Sequence, residues 1–214
     1  MKPGLQLVEC SIGDIEVIVD HPQSSELKGL AVIAHPQPLM GGSAQHKIPN
    51  FLAKAFAEDG WLVVRPNFRG VGGSAGEHDH GIGESHDLLE IVKLFRPKVG
   101  NLPLCLVGFS FGAFVQARVA DMLIKSGEPA EKLCLAGMPF GQVQTGRVFD
   151  TPQELGDALV IHGELDEIVP LKSILEWASP SSQVISVVPG ADHFFTGRLP
   201  ILRKLILNHV SSSK

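Results

Sequence analysis

The chain has 214 residues, with 18 Lys+Arg against 23 Asp+Glu and a formal net charge of −5. Hydrophobic residues make up 44% and charged residues 19%, so a core can be buried and disorder of the whole chain is excluded. The acidity is spread along the chain with no basic stripe, which argues against a nucleic-acid partner or an anionic membrane surface.

The first residues, MKPGLQLVECSIG, hold no continuous apolar stretch and no small-residue cleavage site, so no secretory signal is read there. Two strands then read as a hairpin, Leu5–Cys10 and Asp14–Val19, turning at Gly13. Six short apolar runs follow: Leu30–Ala34, Trp61–Arg65, Leu104–Gly108, Leu133–Ala136, Ala158–Ile161 and Val184–Val188. They are nearly continuous rather than alternating, as expected of strands covered on both faces.

Helical spacing fills the intervals. Ile48, Phe51, Leu52, Ala55 and Phe56 form one stripe, stopped at Gly60. Asp87–Phe95 forms a second, ended by Pro97, and Gly112–Lys125 a third. Leu171–Ala178 is opened by Pro170, and a last helix with Ile201, Leu202, Leu205, Ile206 and Val210 begins after Pro200. This alternation predicts an α/β fold of about eight strands, a mostly parallel sheet with helices on both faces. No linker divides the chain, so residues 1–214 read as a single domain. Gly141–Leu155 is the least regular stretch and is too short for a helical lid.

The uncharged stretch from Val99 to Ala117 is broken by Pro103 and several glycines, which makes it a poor membrane helix; no membrane is expected. Cys10, Cys105 and Cys134 form no C-x-x-C and cannot all pair within the chain, so free thiols in a reducing cytoplasm are expected.

The chemistry centres on Gly108-Phe109-Ser110-Phe111-Gly112, a G-x-S-x-G between an apolar strand and a helix. A strand that turns sharply into a helix needs tiny residues around its apex, and it leaves the serine hydroxyl exposed above the helix N-terminus. A serine hydroxyl is a weak nucleophile without a base and an orienting acid, and here both are expected later in the chain, the acid first. The loop after Ala158–Ile161 offers Glu164, Asp166 and Glu167, and the loop after Val184–Val188 offers His193. Asp192 adjoins His193, and neighbours in a turn rarely point at each other, so it reads as a local loop residue.

An oxyanion needs two positioned N–H donors. One is expected from Phe111, the residue after the serine. The other is expected from the loop after Leu30–Ala34, where Pro36 and Pro38 lack an N–H and Gln37 is the nearest amide.

Five stretches now stand out: HPQPLMGGS (35–43), NFRGVGGSAGE (67–77), GFSFGA (108–113), HGELDEIVP (162–170) and GADHFF (190–195). Together they resemble small single-domain α/β-hydrolases of serine-esterase type, especially bacterial hydrolases with a His-Pro-x-Pro…Gly-Gly loop and Gly-Phe-Ser-Phe-Gly. The plan is also similar to dienelactone hydrolase-like proteins, which use a cysteine where Ser110 stands. The resemblance implies an α/β-hydrolase fold without a lid domain and puts the acid at Asp166, through H-G-x-x-D-x-x-V-P; Glu167 would need a shifted loop register. It implies Ser110, Asp166 and His193 as catalytic residues, with Gln37 and Phe111 as backbone oxyanion donors. The family pattern often has a second histidine after the first proline; Gln37 keeps a backbone role there but not an imidazole.

The implied activity is carboxylesterase-like (EC 3.1.1): hydrolysis of an ester, thioester or similar small-molecule acyl substrate, with no cofactor. The alternatives are a serine peptidase, or a non-catalytic binding protein on the same fold. Leu39, Met40, Phe109, Met138, Phe140 and Phe194 are expected as apolar walls of an open site. His78, His80 and His86 sit among acids but lack H-E-x-x-H spacing, so no metal is expected. The Gly-Gly pairs at 41–42 and 72–73 belong to no phosphate-binding motif. Cys105 and Cys134 read as core residues, His35 and His162 as structural hydrogen-bonders, and Arg69 as a tie between loops.

Overall fold

The protein is described by a computed structural model over residues 3–144 and 146–212. In chain order the elements are β1 (Gly4–Cys10), β2 (Gly13–Asp20), β3 (Gly29–Ala34), α1 (Lys47–Glu58), β4 (Trp61–Pro66), α2 (Ile82–Phe95), β5 (Leu104–Phe109) and α3 (Phe111–Lys125). They continue with β6 (Lys132–Ala136), β7 (Gly141–Gln142), β8 (Val148–Phe149), β9 (Ala158–Gly163), α4 (Leu171–Ala178), β10 (Ile185–Val188) and α5 (Leu199–Ser211). Eight strands form one sheet in the order β1-β2-β4-β3-β5-β6-β9-β10. The hairpin β1–β2 joins β4 antiparallel, and every later pairing is parallel. β7 and β8 make a separate two-stranded antiparallel ribbon.

The continuous apolar runs follow from two cores, one on each face of the sheet. Along β3, Leu30, Val32 and Ala34 point to one core and Ala31 and Ile33 to the other. β5 divides in the same way, with Leu104 and Leu106 opposite Cys105, Val107 and Phe109. Leu88, Val92, Val119 and Trp177 bring α2, α3 and α4 onto the first face, while Leu52, Phe56, Leu202 and Ile206 bring α1 and α5 onto the second. Cys105 and Cys134 are both buried in the second core, and burial holds the Cys105 pKa well above its ordinary value.

Two helices begin earlier than their apolar stripes. α2 starts at Ile82 rather than Asp87, because its first turn buries the polar Glu84 and Ser85 in place of apolar residues. Glu84 reaches back to accept from the amides of Asp79 and Gly81 (2.9 and 2.8 Å), which closes the helix start. α5 takes Pro200 into its first turn, where a missing N–H costs nothing. The stretch expected to be least regular carries the β7–β8 ribbon. Among the described residues no helix is long and apolar enough to cross a membrane.

Candidate active site

The site lies at the carboxyl ends of the strands. β3 pairs with β4 on one side and β5 on the other, so the loops leaving β3 and β5 diverge and open a crevice between them.

Ser110 is the apex of the turn from β5 into α3, with φ 55° and ψ −123°. The flanking glycines are required by contact: a Cβ on Gly108 would meet Ala113 Cα at 2.4 Å, and one on Gly112 would meet Ala34 O at 2.4 Å. The Ser110 amide donates to Ala136 O (2.8 Å), which fixes the turn against β6. Its hydroxyl makes no capping bond to the helix beneath and is free to face the crevice.

Asp166, in the loop after β9, is 5% exposed. Its Oδ1 accepts from the amides of Ile168 (3.0 Å) and Val169 (2.8 Å), and its Oδ2 lies 2.7 Å from Nδ1 of His193. Nε2 of His193 lies 2.9 Å from Ser110 Oγ. With Oδ2 accepting from Nδ1–H, the remaining lone pair of the ring faces the hydroxyl. The other acids are engaged elsewhere. Glu164 accepts from the Gly190 amide (2.8 Å), Asp192 accepts from the Thr196 amide (2.8 Å), and Glu167 is exposed. The hydrogen bond from Thr196 holds the Asp192 carboxyl below its usual pKa. His162 Nε2–H donates to Val169 O (2.8 Å) and braces the same loop, and burial lowers its pKa.

The loop after β3 is closed by Gln37, whose carbonyl accepts from the amides of Met40 (3.1 Å) and Gly42 (3.0 Å). Phe111 is the first residue of α3, where the amide has no intrahelical partner. The Gln37 amide likewise has no hydrogen-bond partner among the described residues. Both residues line a small cavity with Ser110.

Buried polar side chains hold these loops. Asn67 accepts from the Ala44 amide (2.7 Å) and donates to Glu16 (2.5 Å), and Arg69 makes two 2.8 Å bonds to Asp87. His35 is fully buried and accepts at Nε2 from the Phe68 amide (3.0 Å), so its proton sits on Nδ1 and is donated to Pro36 O (2.7 Å). Burial lowers the His35 pKa from 6.5 to about 4. The unfolded chain therefore binds the proton first as pH falls, and stability present above 6.5 is lost progressively towards 4. A loss of about 3 kcal/mol is expected from this residue. Urea unfolding over that range tests it: His35→Gln must flatten the slope, and an unaltered slope rejects the assignment.

Of the expected apolar walls, Met40 and Phe194 line cavities that contain Ser110. Leu39 is exposed and lines neither of them. Phe109 and Met138 are corrections: both are fully buried and face the two cores. The Phe109 ring packs beneath His193 at 5.2 Å and so supports the imidazole. Phe140 is half-buried against the first core instead of lining the crevice. The observed walls include residues not expected there: Val143, Arg147 and Phe149 from the β7–β8 ribbon, Ile168 and Val169 in the loop of Asp166, and His46 at the start of α1. The Val-Pro that closes H-G-x-x-D-x-x-V-P is a readable signal for Val169; Arg147 offers none.

Two cavities meet at Ser110 and share Gln37, Met40 and Ile168: one of about 40 Å³ that adds Phe111, Val143 and Phe149, and one of about 90 Å³ that adds His46, His193 and Phe194. A larger hollow of about 860 Å³ lies at the far end of the sheet, beside Arg96 and Glu131, and contains none of these residues. Among the described residues no group of three or more His, Cys, Asp and Glu is arranged to hold a metal ion.

A family model for the alpha/beta hydrolase fold matches residues 31–127. An alpha-beta serine hydrolase homologue from Coxiella burnetii superposes with a TM-score of 0.83 at 33% identity, over 97% of this chain and 98% of that one. XC6422 from Xanthomonas campestris, described as an α/β serine hydrolase without a lid, gives 0.81 at 32% identity, over 100% of this chain and 98% of that one. The uncharacterized protein RP471 of Rickettsia prowazekii is 29% identical over 193 residues, 85% of this chain and 78% of the relative.

Proposed function

The chain belongs to the α/β serine-hydrolase family, and on that premise we propose that it hydrolyses short-chain carboxylic esters or thioesters through an acyl-enzyme on Ser110. The observation that carries this reading is the continuous hydrogen-bonded line Asp166–His193–Ser110, at 2.7 and 2.9 Å.

Ser110 Oγ attacks the acyl carbonyl as His193 Nε2 takes its proton, and Asp166 stabilises the imidazolium. The amides of Gln37 and Phe111 receive the developing oxyanion, and the dipole of α3 points its positive end at the same place. The tetrahedral adduct collapses, and His193 returns the proton to the leaving oxygen or sulfur. Water, deprotonated by His193, then attacks the acyl-enzyme and releases the acid and free Ser110.

Since His193 must reach the leaving group, that group takes the 90 Å³ side and the acyl chain takes the 40 Å³ side. The latter, narrow and lined by Phe111, Val143 and Phe149, suits a short acyl chain. A longer alkyl chain would leave apolar contact for the polar rim at Arg147 and Gln37. Turnover of a 4-nitrophenyl ester series is expected to peak in the short-acyl range and to fall about tenfold by eight carbons. Aminoacyl anilides are expected to remain intact; turnover confined to them would replace the esterase reading with a peptidase.

A further inference from the structure

The acyl cavity is apolar at Ser110 but opens at its far end onto charge. Arg147, on the turn between β7 and β8, lines it together with Ser110. The same residue lines an adjoining cavity of about 240 Å³ with Gln37, His78, His80 and Phe111.

Four observations mark this rim. Arg65, Arg69, Arg96, Arg118 and Arg203 each meet an Asp or Glu; Arg147 and Arg198 have no such partner among the described residues, and of these two only Arg147 is half-buried and lines the cavities at Ser110, Arg198 being exposed. Gln37 is 8% exposed, its Oε1 is buried without a hydrogen-bond partner among the described residues, and it lines both cavities at Ser110 as well as the outer one. His78 Nδ1 lies 2.7 Å from the fully buried Glu84, which positions the ring at the cavity wall. No Asp or Glu lines either cavity.

With no acceptor among the described residues, the Arg147 guanidinium keeps a planar fork available, the geometry that a carboxylate fills with two parallel bonds. Gln37 can turn the NH₂ end of its amide to the cavity as a further donor. We propose that the acyl group carries a terminal carboxylate, so that the substrate is a monoester or monothioester of a dicarboxylic acid, with Arg147 as the specificity-determining residue. The short methylene chain then occupies the apolar cavity and the anion lies in the outer one. This rests on the acyl-enzyme reading above, since it takes the acyl side of Ser110 to be the side away from His193.

The test compares monomethyl succinate, glutarate and adipate with the methyl esters of the unbranched acids of equal carbon number, followed by proton release. At least one monocarboxylate is expected to exceed its neutral partner by about ten- to hundredfold in kcat/KM, chiefly through KM. Arg147→Gln is expected to bring the ratio close to one, Arg147→Lys to retain part of it, and added salt to reduce it. A wild-type ratio at or below one, or a ratio unmoved in Arg147→Gln, overturns the assignment. Fluorophosphonate labelling of Ser110 separates the two levels. Labelled enzyme with no anion preference rejects the carboxylate reading alone, and unlabelled, inactive enzyme rejects the acyl-enzyme and this inference with it.

Discussion

Ser110→Ala is expected to lower kcat on any accepted ester by about 10⁵- to 10⁶-fold and to abolish fluorophosphonate labelling. The magnitude is that of losing the nucleophile while the base, the oxyanion amides and the cavity remain. Folding is expected to survive, because the hydroxyl has one side-chain bond, to His193, and makes no cap on α3. The backbone at φ 55° is held by the Ser110 amide on Ala136 and by the close packing around Gly108 and Gly112, none of which alanine disturbs. Equal labelling of wild type and variant, with the variant folded, would remove Ser110 from the mechanism.

Asp166→Asn tests the second link and is expected to cost about 10⁴-fold in kcat with little change in melting temperature. The amides of Ile168 and Val169 both donate to Oδ1, so they hold an asparagine with its carbonyl in that position. Its NH₂ then occupies the Oδ2 position, 2.7 Å from His193 Nδ1. A donor there forces the imidazole proton onto Nε2, where it points at Ser110 Oγ and the ring can no longer accept. The wrong tautomer is thus imposed by two backbone bonds rather than by a gross rearrangement. Glu167→Gln is the control, since that side chain is exposed and joins none of these bonds. A loss of less than about tenfold in Asp166→Asn, or a large loss in Glu167→Gln, would move the acid to another residue.

The sheet was legible because a strand covered on both faces writes itself as an uninterrupted apolar run, and β3, β5 and β6 do so. The start of α2 was not, because Glu84 and Ser85 take buried places that a hydrophobic stripe would fill. Ser110, Asp166 and His193 stood out because each lies within five residues of the end of such a run, and the loops bring their side chains within hydrogen-bond reach. The cavity walls were harder to read. Phe109 lies one residue before Ser110, yet strand alternation sends its ring into the core under His193. Arg147 lies in a segment with neither period, and its relation to Ser110 exists only through the fold of the β7–β8 ribbon.

The sheet also decides the order in which the protein fails. Ser110 follows β5, held between β3 and β6, whereas His193 follows β10, which pairs with β9 alone. Edge strands open locally at lower free energy than central ones. Release of β10 would carry the imidazole away from an otherwise intact nucleophile and core. Heat inactivation is therefore expected to precede global unfolding, so that loss of turnover would report the undocking of the last strand before any loss of the sheet.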